Sequence, residues 1–334
     1  MRFALDDQIT SQPDAVRSLL GRPGVPALDP ERPLVFSGIG TSLHACRVAA
    51  AWVAELSAGA IRPAALDAHE LALGLPLTAR DQVVVVSHRG TKRFPGAVLD
   101  RACAAGTTTV AVTGWGAPEP AADHTLRTCP DERSATHTVS YLTALATLAQ
   151  LTAQLVGPEG TRLLAALESV PEALAQTLAL PAPIAAAERL AGREPLLVSG
   201  FGLDAITADE AALKLKEGTY RWAEGLPVEL ALHGPPAAFR PGMGAIVIAP
   251  PGDDGGRSAT LRALLADLGA EVLTCGDGGE DLPFAPVDPL VRPLVVIVPL
   301  QRLTAELARL AGTNPDAIHR DIEPWASAMG RYAL

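Results

Sequence analysis

One pattern occurs twice in this chain and constrains its fold more than any other feature. A short apolar run ends in a glycine-containing turn and is followed by a helical stretch; the runs are LVFSGIG at residues 34–40 and LLVSGFG at residues 196–202. Apolar runs of this length that alternate with helices are typical of parallel strands covered by helices on both faces. The sequence therefore predicts two similar α/β domains in tandem, which indicates a duplication.

The other predicted elements follow the same alternation in both halves. Further strands are predicted at 83–87, 108–114, 245–251, 271–276 and 293–300, and helices at 41–58, 95–105, 140–156, 207–219, 261–268 and 303–311. The Ala- and Leu-rich stretch 158–183 carries no strand signal and is predicted to be helical. We expect a first domain over 14–156, a helical connector over 157–189, and a second domain with a C-terminal tail over 190–334.

Composition excludes several classes of protein. The 334 residues, 48% hydrophobic and 19% charged, are typical of a globular protein of about two domains. A formal charge of −10 argues against nucleic-acid binding. We expect a cytoplasmic protein without membrane contact, because no run approaches the ~18 apolar residues of a membrane span and Asp6 and Asp7 interrupt any signal-like segment.

The four cysteines give no sign of a metal or disulfide framework. They are scattered, form no CxxC pair and have no histidine at ligand spacing. We expect all four to be reduced, and we expect no metal ion and no cofactor. The cysteines are Cys46, Cys103, Cys129 and Cys275.

Two loops follow predicted strands in the first half, where parallel sheets bind ligands. They are GIGTS at 38–42 and SHRGTK at 87–92, and Thr41 and Ser42 are predicted to cap the next helix with their hydroxyls. Taken alone, either loop could be an ordinary helix cap. Neither loop is a GxGxxG motif or a P-loop, which argues against dinucleotides and nucleoside triphosphates as ligands.

The helix TADEAALKLKEGTY at 207–220 carries the strongest chemical signal. Glu210, Lys214 and Glu217 lie at i, i+4 and i+7 and therefore share one side of the helix. Taken alone, this spacing also fits ordinary Glu–Lys pairing on a solvent-facing side. The next stretch, RWAEGLPVELALHGPP, is predicted to be an irregular loop that holds Glu224, Glu229 and His233, and such loops tend to carry function.

The strings EAALKLKEGTYRWAEG, HGP and GIGTS resemble the tandem SIS (sugar isomerase) domains of the glucosamine-6-phosphate synthase family and of related phosphosugar isomerases and deglycases. The resemblance covers about residues 33–324. It implies two flavodoxin-like domains, a sugar-phosphate ligand at hydroxyl-rich loops, and a homodimer whose sites are completed across the interface. We expect the synthase's glutamine-hydrolysing domain to be absent, because no cysteine follows Met1.

The resemblance also implies roles for individual residues. Glu217 would be the general base that moves a proton between C1 and C2 through an enediol, and Lys214 and Glu210 would line the same site. His233 would assist ring opening, usually from the neighbouring subunit. The residues implied to touch the sugar phosphate in the first loop are Gly40, Thr41 and Ser42.

Three departures from the family pattern stand beside these matches. In place of a phosphate loop SxSGxT the chain has SHRGTK, which keeps Ser87 and Gly90, adds His88, and puts Arg89 and Lys92 at the two other hydroxyl positions. The stretch ERSATHT, with Thr136 and His137, stands where the family has a stretch ending in STK. No lysine follows Lys216, so the family's C-terminal Schiff-base lysine is missing, with Glu323 near its position.

These observations favour an isomerase, deaminase or deglycase that acts on a phosphorylated sugar or amino sugar through an enediol or enolamine. The altered loop and the missing lysine leave two alternatives open. One is a non-catalytic sensor that only binds a sugar phosphate. The other is an isomerase for an unphosphorylated or differently charged sugar.

Overall fold

A computed structural model of the protein describes residues 2–20 and 24–332. Within these residues the chain forms two compact units. The N-terminal unit comprises 12–132 and 139–171, and the C-terminal unit comprises 2–11, 133–138 and 172–332. This grouping differs from the boundaries expected from the sequence, chiefly because 2–11 and 133–138 lie with the C-terminal half. The expected boundaries stay a prediction.

Each unit contains one five-stranded parallel sheet. The strands of the N-terminal unit are β1 Leu34–Gly38, β2 Ala64–Asp67, β3 Gln82–Val86, β4 Thr108–Thr113 and β5 His124–Arg127, in the order β2-β1-β3-β4-β5. Those of the C-terminal unit are β6 Leu196–Gly200, β7 Ala223–Pro227, β8 Gly244–Ile248, β9 Glu271–Gly276 and β10 Leu282–Pro283, in the order β10-β9-β8-β6-β7. Counted within its own unit, each sheet has the order 2-1-3-4-5 of flavodoxin-like folds.

Helices cover both faces of the sheets. In chain order they are α1 Ala4–Leu20, α2 Thr41–Leu56, α3 Ala68–Leu73, α4 Arg93–Ala104, α5 Val139–Val156, α6 Gly160–Ala179, α7 Ile184–Leu190, α8 Leu203–Thr219, α9 Val228–Leu232, α10 Arg257–Asp267, α11 Arg292–Val295, α12 Ile297–Ala311 and α13 Trp325–Arg331. Every residue of β3 is buried although successive side chains face opposite sides of a strand. Two flavodoxin-like α/β domains in tandem, the predicted fold class, are confirmed.

The repeated GxG of the two turns has a structural reason in each unit. A Cβ on Gly38 would lie 2.7 Å from the Ser42 backbone, and one on Gly200 would lie 2.5 Å from the Asp204 carbonyl oxygen. The second glycine of each turn has a positive φ, 56° at Gly40 and 61° at Gly202, a conformation that favours glycine. Both turns therefore bring a strand end tightly against the next helix.

Two sequence-based predictions of secondary structure are wrong. The apolar run 293–300 is helical, in α11 and α12, because a short apolar run does not distinguish a buried strand from a buried helix. Pro293 and Pro299 fall in the first turns of these helices, where an N–H has no intrahelical partner. The stretch 221–236, expected to be an irregular loop, contains β7 and α9.

One helical stretch of the described residues, Val139–Ala179, is long and apolar enough to cross a membrane. The expectation concerned uninterrupted apolar runs and is not contradicted, because Ser140, Thr143 and Gln150 interrupt this stretch. Of its most apolar window, 83% is buried inside the protein. A helix that is buried to this extent packs in the core of the protein.

Candidate active site

Three charged side chains of α8 form one cluster. Lys214 Nζ lies 2.6 Å from Glu217 Oε2 and 3.5 Å from Glu210 Oε1. Lys214 and Glu210 are buried, with side-chain exposures of 1% and 0%, whereas Glu217 is 23% exposed. The carboxylate that remains open to a ligand is thus held by a buried ammonium group.

The opposite side of α8 is buried as well. Ala208, Ala211, Ala212 and Leu215 have almost no exposed surface, and the helix packs against β6, β7 and α12. The alternative interpretation of the cluster as solvent-facing pairing is therefore wrong. Taking charged groups out of water costs several kcal/mol per ion, and the pairing of Lys214 with Glu210 and Glu217 offsets this cost.

The C-terminal segment is fixed beside the end of α8. Tyr220, in the left-handed region at φ 60°, donates from its hydroxyl to the Asn314 carbonyl at 2.7 Å and accepts from His319 N at 3.0 Å. Thr313 Oγ1 donates to the Gly218 carbonyl at 2.6 Å. The residue after Glu217 thus contacts the C-terminal segment directly.

The stretch that holds the predicted ligand residues Thr136 and His137 contacts this C-terminal segment through Thr136 and Ala135. Thr136 is buried and its hydroxyl donates to the Pro315 carbonyl at 2.8 Å, while Ala135 N donates to the Asp316 carbonyl at 3.0 Å. His137 is partly exposed. The Thr136 hydroxyl therefore serves the fold of the C-terminal unit, and its predicted contact with substrate is untested.

The first loop of the N-terminal unit places Gly40 at the N-cap of α2. Thr41 and Ser42 are consequently the first helical residues, and the prediction that they cap the helix is wrong. Their side chains and that of His88 line a cavity of about 20 Å³. This volume is enough for about one water molecule.

The second loop faces a different cavity. Ser87 and Gly90 line a space of about 190 Å³ beside α4. Lys92 occupies the N-cap of that helix, and both Lys92 and Arg89 are exposed and line neither cavity. His88 packs closely against Gly114: a Cβ on that glycine would lie 2.6 Å from His88 Cε1.

His233 lies just after α9 on the surface of the C-terminal unit. Its side chain is 69% exposed, and Nε2 lies 2.6 Å from Glu229 Oε1. Arg257 Nε donates to Glu229 Oε2 at 2.6 Å. The hydrogen bonds from Arg257 and His233 hold the pKa of the Glu229 carboxyl below its usual value.

Sequence reasoning singled out Glu229 and His233 but missed their connection to Arg257. The i, i+4 spacing of the first two was a usable signal for their contact. Arg257 lies 28 residues away from Glu229 on α10, and nothing local indicated it. Glu323, near the position of the missing lysine, accepts a hydrogen bond from Ser327 Oγ at 2.6 Å.

Comparisons with known proteins agree with this architecture. No family model matches the chain. It is 28% identical over 307 residues to the isomerizing glutamine–fructose-6-phosphate aminotransferase of Pyrococcus horikoshii, an alignment that covers 85% of this chain and 50% of that protein. The chain thus spans about half the length of this curated relative.

Solved structures resemble the chain over almost its whole length. The C-terminal domain of glucosamine-fructose-6-phosphate aminotransferase from Francisella tularensis has a TM-score of 0.84 and 19% identity, and covers 95% of this chain and 98% of its own. Glucosamine-6-phosphate deaminase from Thermotoga maritima has a TM-score of 0.78 and 22% identity, with coverages of 94% and 97%. The chain therefore has the two-domain α/β fold of these solved structures, and it is similar in sequence to the aminotransferase of Pyrococcus horikoshii.

Proposed function

We propose that this protein is an enzyme that moves a proton between C1 and C2 of a phosphorylated sugar or amino sugar. The proton transfer would pass through an enediol or enolamine, in an isomerisation, a deamination or a deglycation. One observation carries the proposal: Glu217 Oε2 lies 2.6 Å from the buried Lys214 ammonium and is still partly open to solvent.

That geometry suits a general base. A carboxylate held by a fixed hydrogen bond points in one direction, and a base must lie within hydrogen-bond reach of the proton it removes. The ammonium of Lys214 also places positive charge beside the site where an enediolate oxygen would develop, and preorganised charge of this kind lowers the barrier. Glu210 balances Lys214 from the buried side.

A sugar phosphate is the substrate class that the relatives favour. The names of two relatives specify fructose-6-phosphate and glucosamine-6-phosphate. The loop 87–92 would hold the phosphate with the exposed charges of Arg89 and Lys92 together with the Ser87 hydroxyl and the helix start that follows. No metal or redox cofactor has a part in this reaction.

We further propose a cytoplasmic homodimer with sites completed across the interface. The high exposure of His233 on its own subunit supports its delivery to the Glu217 site of a neighbour, where it would assist ring opening. Sedimentation at micromolar concentration should give two chains per particle. A monomer that retains full activity would remove the shared-site proposal.

A second candidate function is supported by the N-terminal unit. The cavity beside Thr41, Ser42 and His88 has room for about one water molecule, and two family hydroxyl positions carry Arg89 and Lys92. These features would suit a sensor that binds without turnover, or an isomerase for an unphosphorylated or differently charged sugar.

A thermal-shift screen followed by an exchange assay separates these candidates. Hexose, hexosamine and ketosamine phosphates are tested beside their unphosphorylated forms, and a ligand at about 100 times its Kd stabilises by ~2.7 kcal/mol. Ligands that stabilise are then incubated with the protein in D₂O. Deuterium at C1 or C2 supports the enzyme, binding without exchange supports the sensor, and stabilisation by unphosphorylated sugars alone would overturn the phosphosugar assignment.

A further inference from the structure

Two side chains on helices and His233, just after the first of these helices, form a chain of hydrogen bonds that ends at His233. Glu229 lies in α9 and Arg257 begins α10. Arg257 contacts both carboxylate oxygens of Glu229, at 2.6 Å through Nε and at 3.4 Å through Nη2. The Oε1 atom of that carboxylate lies 2.6 Å from His233 Nε2.

The chemistry of these groups decides which ring nitrogen carries a proton. An ionised carboxylate can only accept hydrogen bonds, and a neutral imidazole has one donor and one acceptor nitrogen. Arg257 donates to the Glu229 carboxyl and lowers its pKa, so this group is ionised at neutral pH. The nitrogen that faces it, Nε2, must therefore be the donor.

We infer that Glu229, anchored by Arg257, is a positioning residue that fixes His233 as the Nε2–H tautomer and leaves Nδ1 as the nitrogen that exchanges protons with the sugar. The part that concerns catalysis rests on the proposed function. An exposed imidazole has several open rotamers, and a hydrogen bond to the other ring nitrogen commonly sets the tautomer and the orientation of a functional histidine.

Ring opening then has a defined proton path. The imidazolium gives its Nδ1 proton to the ring oxygen as the bond between that oxygen and the anomeric carbon breaks. The anomeric hydroxyl gives a proton to water, the carbonyl forms, and water returns a proton to Nδ1. The open-chain sugar has the composition of the ring form, and Nε2 keeps its proton throughout.

The tautomer can be read without any substrate. The whole protein, labelled with ¹⁵N-histidine, is studied by long-range ¹H–¹⁵N NMR at a pH where the ring is neutral, and His233→Asn assigns the signal among the seven histidines. We expect His233 to show the Nε2–H pattern in the native protein. In Glu229→Gln the amide can present either oxygen or NH₂, so we expect a mixture of tautomers.

Matched variants test whether Arg257 is needed to hold Glu229 in position. Arg257→Ala should shift His233 towards the mixture, whereas Arg262→Ala should not, because Arg262 lies on the same helix and contacts Thr274 instead. With an active sugar phosphate, Glu229→Gln should lower kcat about tenfold, a fraction of the 10²–10⁴ supplied by an acid–base group. KM should stay within about twofold of the native value.

Two results would overturn the inference: a Nδ1–H tautomer in the native protein, or an unchanged tautomer in Glu229→Gln. An unchanged kcat beside a changed tautomer would overturn its catalytic part. Failure of the proposed function is a separate result, in which the native protein exchanges no proton of any sugar phosphate while the tautomer signals still decide the positioning of His233.

Discussion

Lys214 Nζ lies 2.6 Å from the Glu217 carboxylate, and the same ammonium group lies 3.5 Å from that of Glu210. One buried cation is therefore shared by two anions, of which one is buried and the other partly open. The buried carboxylate keeps the ammonium in the core, and the ammonium in turn aims the open carboxylate. Stability and the proposed chemistry depend on the same side chain.

Lys214→Met should strongly destabilise the protein. The change leaves the buried Glu210 carboxylate without its cation, which typically costs about 3–5 kcal/mol, measured as the free energy of unfolding in urea. Lys216→Met is the matched control, since Lys216 lies over the Trp222 ring at 5.2 Å and a cation–π contact at an exposed site contributes only ~0.5–1 kcal/mol. Adding Glu210→Gln to Lys214→Met should recover part of the loss. Equal losses for the two lysine variants would contradict the cluster's importance to stability.

The thiols offer a test of burial. Cys46, Cys129 and Cys275 are buried, and burial raises the pKa of each thiol, that of Cys129 to about 11. Because the thiolate is the reactive form, only the exposed Cys103 should react with a thiol reagent at pH 8. Titration should detect one reactive thiol in the native wild-type chain and none in native Cys103→Ser. After unfolding, the wild-type chain should show four. Rapid reaction of a second thiol in the native protein would contradict this packing.

The two strand-end glycines should be intolerant of a methyl group. Gly38→Ala and Gly200→Ala each bring a Cβ within 2.7 Å of backbone atoms, and such overpacking typically costs about 1–3 kcal/mol. Gly24→Ala is the control, because nothing lies within 4 Å of its Cβ position. Thermal unfolding of the three variants measures the difference. If Gly24→Ala lowered stability as much as the other two, close approach would not be the cause.

The central strands of both sheets were predictable because they are uninterrupted apolar runs followed by glycine turns. Short edge strands such as β5 and β10 were missed, since segments of two to four residues are too short to carry a periodic signal. The run 293–300 shows the opposite error. Its apolar residues are buried all round in a helix, which local composition cannot distinguish from a central strand.

The features of the candidate site were also predictable only in part. The spacing of Glu210, Lys214 and Glu217 predicted a shared side of α8, but whether that side meets solvent or core is decided by other elements, here including α12. The capping role of Thr41 was wrong because Gly40 takes the N-cap position. The contact of Glu229 with Arg257 joins residues of two helices, and the local sequence does not indicate it.

The basic residues of the loop 87–92 should contribute to anion binding. Arg89→Ala and Lys92→Ala are expected to lower the affinity for a sugar phosphate, because each removes a charge-assisted hydrogen bond. Salt should lower the affinity of the native protein, because the interactions of exposed charges are screened. Arg93→Ala should matter less, since Arg93 replaces no family hydroxyl. Calorimetry compares the three variants. Unchanged affinity in the first two, with a loss in Ser42→Ala or Ser87→Ala, would assign the phosphate to hydroxyls instead.

The measurement that tests the central claim most directly is the exchange of the C1 or C2 proton of a bound sugar phosphate in D₂O, compared between the native protein and Glu217→Gln. The amide keeps the shape of the side chain but cannot take the proton, so exchange should fall by about 10²–10⁴. Calorimetric affinity for the same sugar phosphate should stay within about threefold. Undiminished exchange in Glu217→Gln would contradict the assignment of Glu217 as the base.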